Sequence, residues 1–450
     1  MSGVTYEDIK KANRRLESPP GVAAPVGRCQ NQWQTPITMY GRNNLDWEVK
    51  LKESSFVGDM EVDSWDWFES RQVVDVVKDL LQKELRSKGK RYEGLVINSY
   101  VRQGSSREGL KVLNADEFDA MLEFHFEGLD ELIEHKDFKN SDLMMFIPGH
   151  CYLELRGVTI EYLKDNFANL YKKGVFIEEG GNIFLSSKRL HVKIFESMVD
   201  SAVSKINKEM LKHDTLESKK CMFGLKRKMN PPSINLAITL NAAQQYFGIG
   251  PFKAEKELDI DFVPAFLLRY DQTTCYEGML MQCPIHAVCK WAEVDSFRAL
   301  ATADQCRIWV VKSTGYEKQI LDVARKDERK LYILTALRIL KTYFVKMKKE
   351  YAEDLGCAPP QIVTMLKSYH LKQLAFYLLN YLCHKYPYFK LHGVQQALIY
   401  FIEVIRVDLK QKRLPHLFFA DNNVVETMLP GYPLVPSPKL REEGSNWKSS

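Results

Sequence analysis

The chain has 450 residues, of which 45% are apolar and 11% aromatic, which suits two packed lobes and is too apolar for a disordered protein. Its 63 basic and 58 acidic residues leave a formal charge of only +5, so composition alone does not declare a nucleic-acid binder. Nine cysteines without a regular framework fit free thiols in a reducing compartment, and no apolar run has the length of a signal core or a membrane span; a cytoplasmic protein with no membrane contact is expected.

Residues 1–60 carry Lys10, Lys11, Arg14 and Arg15, then Pro19, Pro20 and Pro25, with no sustained period, and are predicted to form a partly flexible basic arm. From Ser64 to Arg86 the residues Phe68, Val73, Val77, Leu80, Leu81 and Leu85 recur at helical spacing, so a long amphipathic helix is predicted, stopped at Ser87-Lys88-Gly89-Lys90. Strands are predicted over Gly94–Val101 and Asp116–Phe126, on either side of a Gly104-Ser105 turn. In an extended strand Glu117 and Asp119 project from one face and Phe118 from the other. Two carboxylates beside such a turn suit a divalent metal and the phosphates of a nucleoside triphosphate, although a Glu-x-Asp pair also occurs on any solvated strand face.

Leu143–Ile147 and Cys151–Leu155 flank Pro148-Gly149-His150, which predicts a hairpin. Leu185-Ser186-Ser187 caps a second long helix carrying Leu190, Ile194, Met198, Val203 and Ile206. The run from Lys219-Lys220 to Lys226-Arg227-Lys228 is the densest positive stretch. Ile234–Leu240 and Leu258–Leu268 read as strands around an inserted loop, 241–257, broken by Gly248 and Gly250. Asp259 and Asp261 share a face of the second of these; so apolar a strand rarely holds a carboxylate inside a sheet without a cation, though both could lie at its exposed start. Beyond Glu317 the pattern becomes helical, over Ile320–Tyr351, Ile362–His384 and Val394–Leu409, and from Leu429 prolines mark a loose tail.

The ordered set Gly104-Ser105, Glu117-Phe118-Asp119 and Asp261-Phe262-Val263-Pro264 resembles the nucleotidyltransferase signature of the cyclic GMP-AMP synthase family, which includes the synthase-like receptors of animals and the male-abnormal developmental proteins. Segments at 184–190, Trp309 with Glu317–Leu321, Ser368-Tyr369-His370-Leu371-Lys372 and Leu414–Phe419 extend the resemblance. It implies an α+β, bilobal nucleotidyltransferase with a mixed β-sheet catalytic core, a long N-terminal spine helix and a C-terminal all-helical lobe. The units expected are the arm at 1–60, the core with its spine helix at 61–315, the helical lobe at 316–428 and the tail at 429–450. By the same resemblance Glu117, Asp119 and Asp261 would ligate two Mg²⁺ or Mn²⁺ ions, Gly104 and Ser105 would hold a triphosphate, and Ser368, Tyr369 and Lys312 would line the base pocket. ATP and GTP would be joined into a cyclic dinucleotide for innate immune signalling. The alternative is a catalytically silent developmental or scaffolding relative that binds a ligand or partner in the cleft.

Two departures shape the expectation. Val310 and Lys312 stand where the synthase has an arginine and a serine, so base selectivity does not carry over. The stretch Leu321–Lys330 has neither His nor Cys where the DNA-sensing enzyme carries its zinc insertion, and Cys283, His286 and Cys289, with Cys275 upstream, depart from common zinc spacings, so zinc is not expected. Family members without the insertion include receptors for double-stranded RNA, which is therefore the expected trigger, with a homodimer on the nucleic acid allowed for. The residues expected to meet its phosphates are Lys78, Lys83, Arg86, Lys88, Lys90, Arg91, Lys226, Arg227 and Lys228.

Overall fold

A computed structural model describes residues 3–17, 60–62, 64–140, 145–216, 223–230, 233–240, 257–268, 273–275, 279–281, 284–289, 306–312, 314–380 and 391–411. The run Lys219-Lys220, the loop at 241–256, Cys283, the segment 414–419 and the tail at 429–450 lie outside them.

The first helix is the first correction. Residues read as part of an arm form α1, Tyr6–Glu17, whose Ile9 and Ala12 are buried in the main core. The signal was Thr5-Tyr6-Glu7-Asp8: the Asp8 carboxylate takes the Thr5 backbone N–H at 2.8 Å, the reciprocal half of a capping box. Lys83 then pairs with Asp8 at 2.6 Å and Arg15 with Asp79 at 2.7 Å, tying α1 to the spine helix α2, Ser64–Gly89.

Among the described residues, eleven strands form one mixed sheet: β1 Leu95–Gln103, β2 Glu117–Phe126, β3 Ile133–Asn140, β4 Met145–Leu155, β5 Phe176–Glu179, β6 Asn182–Leu185, β7 Phe223–Asn230, β8 Ser233–Leu240, β9 Glu257–Leu268, β12 Ile285–Val288 and β13 Trp309–Lys312. Two short strands, β10 Thr273–Cys275 and β11 Met279–Met281, pair separately. The main path runs β1-β2-β9-β12-β13-β4-β6-β5. The predicted hairpin at Pro148-Gly149-His150 is not formed: β4 runs through these residues, and its pairing with β3 slips there, with Gly149 at φ +74°. A proline and a positive-φ glycine inside a paired strand make a bulge as readily as a turn.

Strand β9 organises the sheet. On one side it runs parallel to β2 from Asp259 to Phe266; on the other its first half pairs with β8 as far as Phe262 and its second half with β12 from Ala265. Pro264 sits at this change of partner, where a missing N–H is least costly. Its carbonyl accepts the Cys289 N–H at 3.0 Å.

Two large cores follow from the sequence pattern. One packs α2 and α4, Glu196–Leu216, against the sheet through Val77, Leu81, Phe124, Ile206 and Trp309. Ser186 caps the short turn leading into the second long helix by accepting the Arg189 N–H, and the Trp309 indole donates to the Leu185 carbonyl at 3.1 Å. The other core is that of the helical lobe: α5 Thr314–Ala324, α6 Glu328–Lys349, α7 Ser368–Asn380 and α8 Val394–Gln411. The single helix predicted over 320–351 is interrupted after Ala324, and Asp327 caps the next one through the Arg329 N–H. Between Gly104 and β2 lies α3, the short helical turn Gly104–Arg107, and then a segment whose Leu110 is inserted into the helical core at 1% exposure. Among the described residues no helix is long and apolar enough to cross a membrane.

Burying a leucine contributes about 1.5–3 kcal/mol, and leaving a cavity adds to the loss. Leu110→Ala is therefore expected to destabilise the fold by about 2–4 kcal/mol in urea unfolding, with the helical lobe affected first.

Candidate functional site

Register builds the site. Parallel pairing sets Glu117 beside Asp259 and Asp119 beside Asp261, while Phe118 and Ile260 turn into the core. One carboxylate oxygen from each of Glu117, Asp119 and Asp261 lies within 4.8 Å of the others, so two strands distant in sequence deliver three anionic donors to one point. Such a hard-oxygen cluster could hold a divalent metal ion.

Gly104 closes the cluster from β1. It has φ +75°, and a Cβ there would stand 1.7 Å from Asp119 Oδ2, so both backbone conformation and space demand glycine. Burial first, then the negative charges of Glu117 and Asp261, push the Asp119 carboxyl up to about 7. Three carboxylates with too little positive charge are the donor set that a divalent cation satisfies.

One row of side-chain positions crosses five strands: Lys228, Asn235, Asp261, Asp119 and Gln103. Asn235 is buried at 5% exposure, and its amide Nδ2 donates to Asp261 Oδ1, fixing that carboxylate. Sequence reading missed it; its signal was one amide among Ile234, Leu236, Ala237 and Ile238. Lys228 takes Asp259 at 2.7 Å and also pairs with Glu257, so Asp259 is turned to a lysine and stands outside the three-carboxylate cluster.

The segment after Gly104 is fastened on both sides. Lys111 bridges Asp116 at 3.0 Å and Glu117 at 3.1 Å; burial pulls its ammonium down, but the two carboxylates more than offset this and hold it above the usual lysine value. Glu108, 3% exposed, meets Lys372 at 2.9 Å, and Lys372 also meets Glu317 at 2.8 Å. Lys341, which burial pushes down to about 7, donates to the Leu110 carbonyl at 2.6 Å. Arg325 donates to the Glu108 carbonyl.

The predicted base-pocket residues are partly brought together. The Lys312 ammonium stands 5.8 Å from the centre of the Tyr369 ring, and Tyr369 is 37% exposed at the start of α7, not packed in the helical core; Ser368 beside it is exposed. Val310 packs instead with Met121, Val263, Ala265 and Val288. His286 and Cys289 are both buried, and His286 Nε2 faces Glu123 at 3.0 Å.

The expected nucleic-acid residues differ in exposure and in their partners. Lys78 is buried and pushed down to about 8 by that burial; Lys83 is held by Asp8, Lys88 by Glu84 at 3.3 Å, and Arg227 by Asp200 at 2.8 Å. Arg86 donates to the carbonyls of Ile97 and Asn98 at 3.0 and 2.7 Å. Lys90, Arg91 and Lys226 are exposed. A helix packed by a sheet, α1 and α4 has little purely solvated face, so positions off its apolar stripe still meet protein.

Residues 106–322, just under half of the chain, match the family model of the Mab-21 protein nucleotidyltransferase domain. The match includes all three clustered carboxylates and Lys312, and ends before Ser368 and Tyr369. No curated protein is matched by the chain.

Two outcomes test this geometry. Gly104→Ala is expected to displace the Asp119 carboxylate and weaken Mn²⁺ binding at least about tenfold by calorimetric titration, whereas Gly157→Ala, at φ +64° with nothing within 4 Å, meets only backbone strain and leaves binding intact. Because the folded-state pKa of Asp119 lies above its unfolded value, the metal-free protein is expected to lose stability as pH rises from about 4 through about 7. Asp119→Asn should remove that loss, raise the melting temperature at pH 8 without metal, and abolish the stabilisation by Mn²⁺ expected of the parent.

Proposed function

We propose that this chain, which carries a Mab-21 nucleotidyltransferase domain, joins ATP and/or GTP into a cyclic dinucleotide in response to a duplex nucleic acid, most simply double-stranded RNA, as an innate immune signal. The observation that carries the reading is the convergence of Glu117, Asp119 and Asp261 beside a glycine that must remain a glycine. Two Mg²⁺ or Mn²⁺ ions held there would neutralise the leaving pyrophosphate and acidify the attacking ribose hydroxyl. The remaining work falls to the protein's own groups.

Gly104 and Ser105 would present backbone amides and a hydroxyl to the triphosphate, and Gly104 leaves the Asp119 carboxylate its place. Asp261, oriented by Asn235, would accept the proton of the attacking hydroxyl. Tyr369, with its exposed ring at a helix start, would stack on a base, with Ser368 and Lys312 at the pocket edge. The trigger would meet the exposed Lys90, Arg91 and Lys226 among the expected phosphate contacts.

One observation favours the silent alternative. Lys111 already pairs with Glu117, so part of the cluster's charge is satisfied by protein alone. Against it, Lys111 leaves Asp119 crowded by two other carboxylates.

Incubation with labelled ATP and GTP, Mg²⁺ or Mn²⁺ and a long RNA duplex is expected to give a cyclic dinucleotide, resolved by chromatography. Asp119→Ala should reduce product by at least about a thousandfold with the fold retained. Absence of product from the parent across metals, duplex RNA, duplex DNA and small phosphorylated ligands would favour the silent alternative.

A further inference from the structure

The densest positive stretch of the sequence ends in Lys226-Arg227-Lys228, and of these three only Lys226 is exposed. Alternation along β7 sends the other two to opposite faces of the sheet. Lys228 lies in the row with Asn235 and Asp261, while Arg227 follows the buried Phe223 and Leu225 onto the face covered by α4.

Helix α4 holds β7 at two points. The Asn207 amide donates to the Leu225 carbonyl at 2.9 Å and accepts the Leu225 N–H at 3.3 Å; two turns earlier, Asp200 accepts Arg227 Nε at 2.8 Å. Among the described residues β7 pairs with β8 alone, so these clamps stand where a further strand would otherwise bond. Glu196, one turn before Asp200, also feels the guanidinium: a hydrogen bond from His191 first, and the Arg227 charge last, hold its carboxyl below the ordinary glutamate range despite burial.

From this anchorage Arg227 reaches inward, and its Nη1 donates to the Asn235 backbone carbonyl at 2.7 Å. Asn235 is the residue whose Nδ2 donates to Asp261. The Asn235 Oδ1 is buried with no hydrogen-bond partner among the described residues, so the amide is held at one end only, by the carboxylate that it orients. Its direction then depends on its own backbone, and that backbone is what Arg227 grips.

We propose that Arg227 is a positioning residue for the metal site: braced by Asp200, it fixes the Asn235 backbone and, through Asn235, the Asp261 carboxylate. A planar guanidinium serves an anion and a carbonyl at once through separate N–H groups, which a single ammonium on a flexible stem does less rigidly. Partners that orient a metal ligand typically change metal affinity by about 10–100-fold when lost, and Arg227 stands one residue further out. The inference rests on the three-carboxylate metal site, not on the reaction proposed for it.

Calorimetric titration of the full chain with Mn²⁺ is the test, each variant first checked for a parent-like melting curve without metal. Arg227→Met is expected to weaken binding at least about fivefold, and Asn235→Ala at least as much. Adding Arg227→Met to Asn235→Ala should cost nothing more, because a residue that acts through another is silent once that other is gone. Asp200→Ala, at an exposed carboxylate, should weaken binding in the same direction and carries the test if Arg227→Met unfolds; Lys208→Met, exposed on the same helix, should leave it unchanged. At saturating Mn²⁺ the electron paramagnetic resonance spectrum, which reports the ligand arrangement around the ion, should change alike in Arg227→Met and Asn235→Ala. Parent-like affinity in either folded variant, Arg227→Met or Asp200→Ala, a parent-like spectrum in Arg227→Met, or losses that add in the double variant overturn the proposal and leave the metal site standing. Failure of the parent to bind Mn²⁺ overturns the metal site and the proposal with it.

Discussion

Asp119 and Asp261 lie side by side on adjacent parallel strands, and the repulsion between them and Glu117 is the constraint to which the surrounding structure answers. Every flanking strand contributes relief: Asn235 donates to Asp261 from β8, Lys228 draws Asp259 away from β7, Lys111 holds Glu117, and Gly104 yields its side-chain volume to Asp119. These contacts orient the carboxylates but supply only one nearby ammonium to the cluster itself, which leaves the charge deficit that suits a divalent ion.

The segment from Gly104 to Asp116 joins that cluster to the other lobe. Its middle belongs to the helical core through Leu110, its Glu108 to a buried ion group with Lys372 and Glu317, and its end to the carboxylate cluster through Lys111. Removing one member of such a group leaves a buried charge without compensation, so the segment is bound to the helical lobe by electrostatics as well as by apolar burial. The glycine turn thus takes its position from both lobes.

Much of this was legible. The spine helix, β2, β8 and β9 follow from hydrophobic periodicity, and the shared face of Glu117 and Asp119 from strand geometry alone. The resemblance, not the local pattern, joined Asp261 to them, because parallel pairing between strands so far apart leaves no local trace. Asn235 was visible only as a polar residue in an apolar strand, whose meaning depends on which residue lies opposite. The partners of the basic residues of α2 were not legible for a related reason: charge on a helix is read as solvated, whereas Lys83, Arg86 and Lys88 meet α1, β1 and their own helix. Helix α1 did carry its own signal, the Thr5 to Asp8 box, hidden beside a proline-rich stretch.

The change of partner along β9 at Pro264 divides the labour of the sheet. Asp261 and its supporting Asn235 belong to the half that pairs with β8; Val310 and Lys312, the positions that depart from the synthase pattern, hang from the half that pairs with β12 and then β13. On that edge the partner changes at residues 263–264, while on the other edge the pairing with β2 runs unbroken past both halves, and Val310 packs on Met121 and Val263, two positions from Asp119 and Asp261. One edge of β9 is thus shared between two partners and the other belongs to β2 alone, so a change in β12 or β13 reaches the acidic centre through β2 and the apolar cluster of Met121, Val263 and Val310.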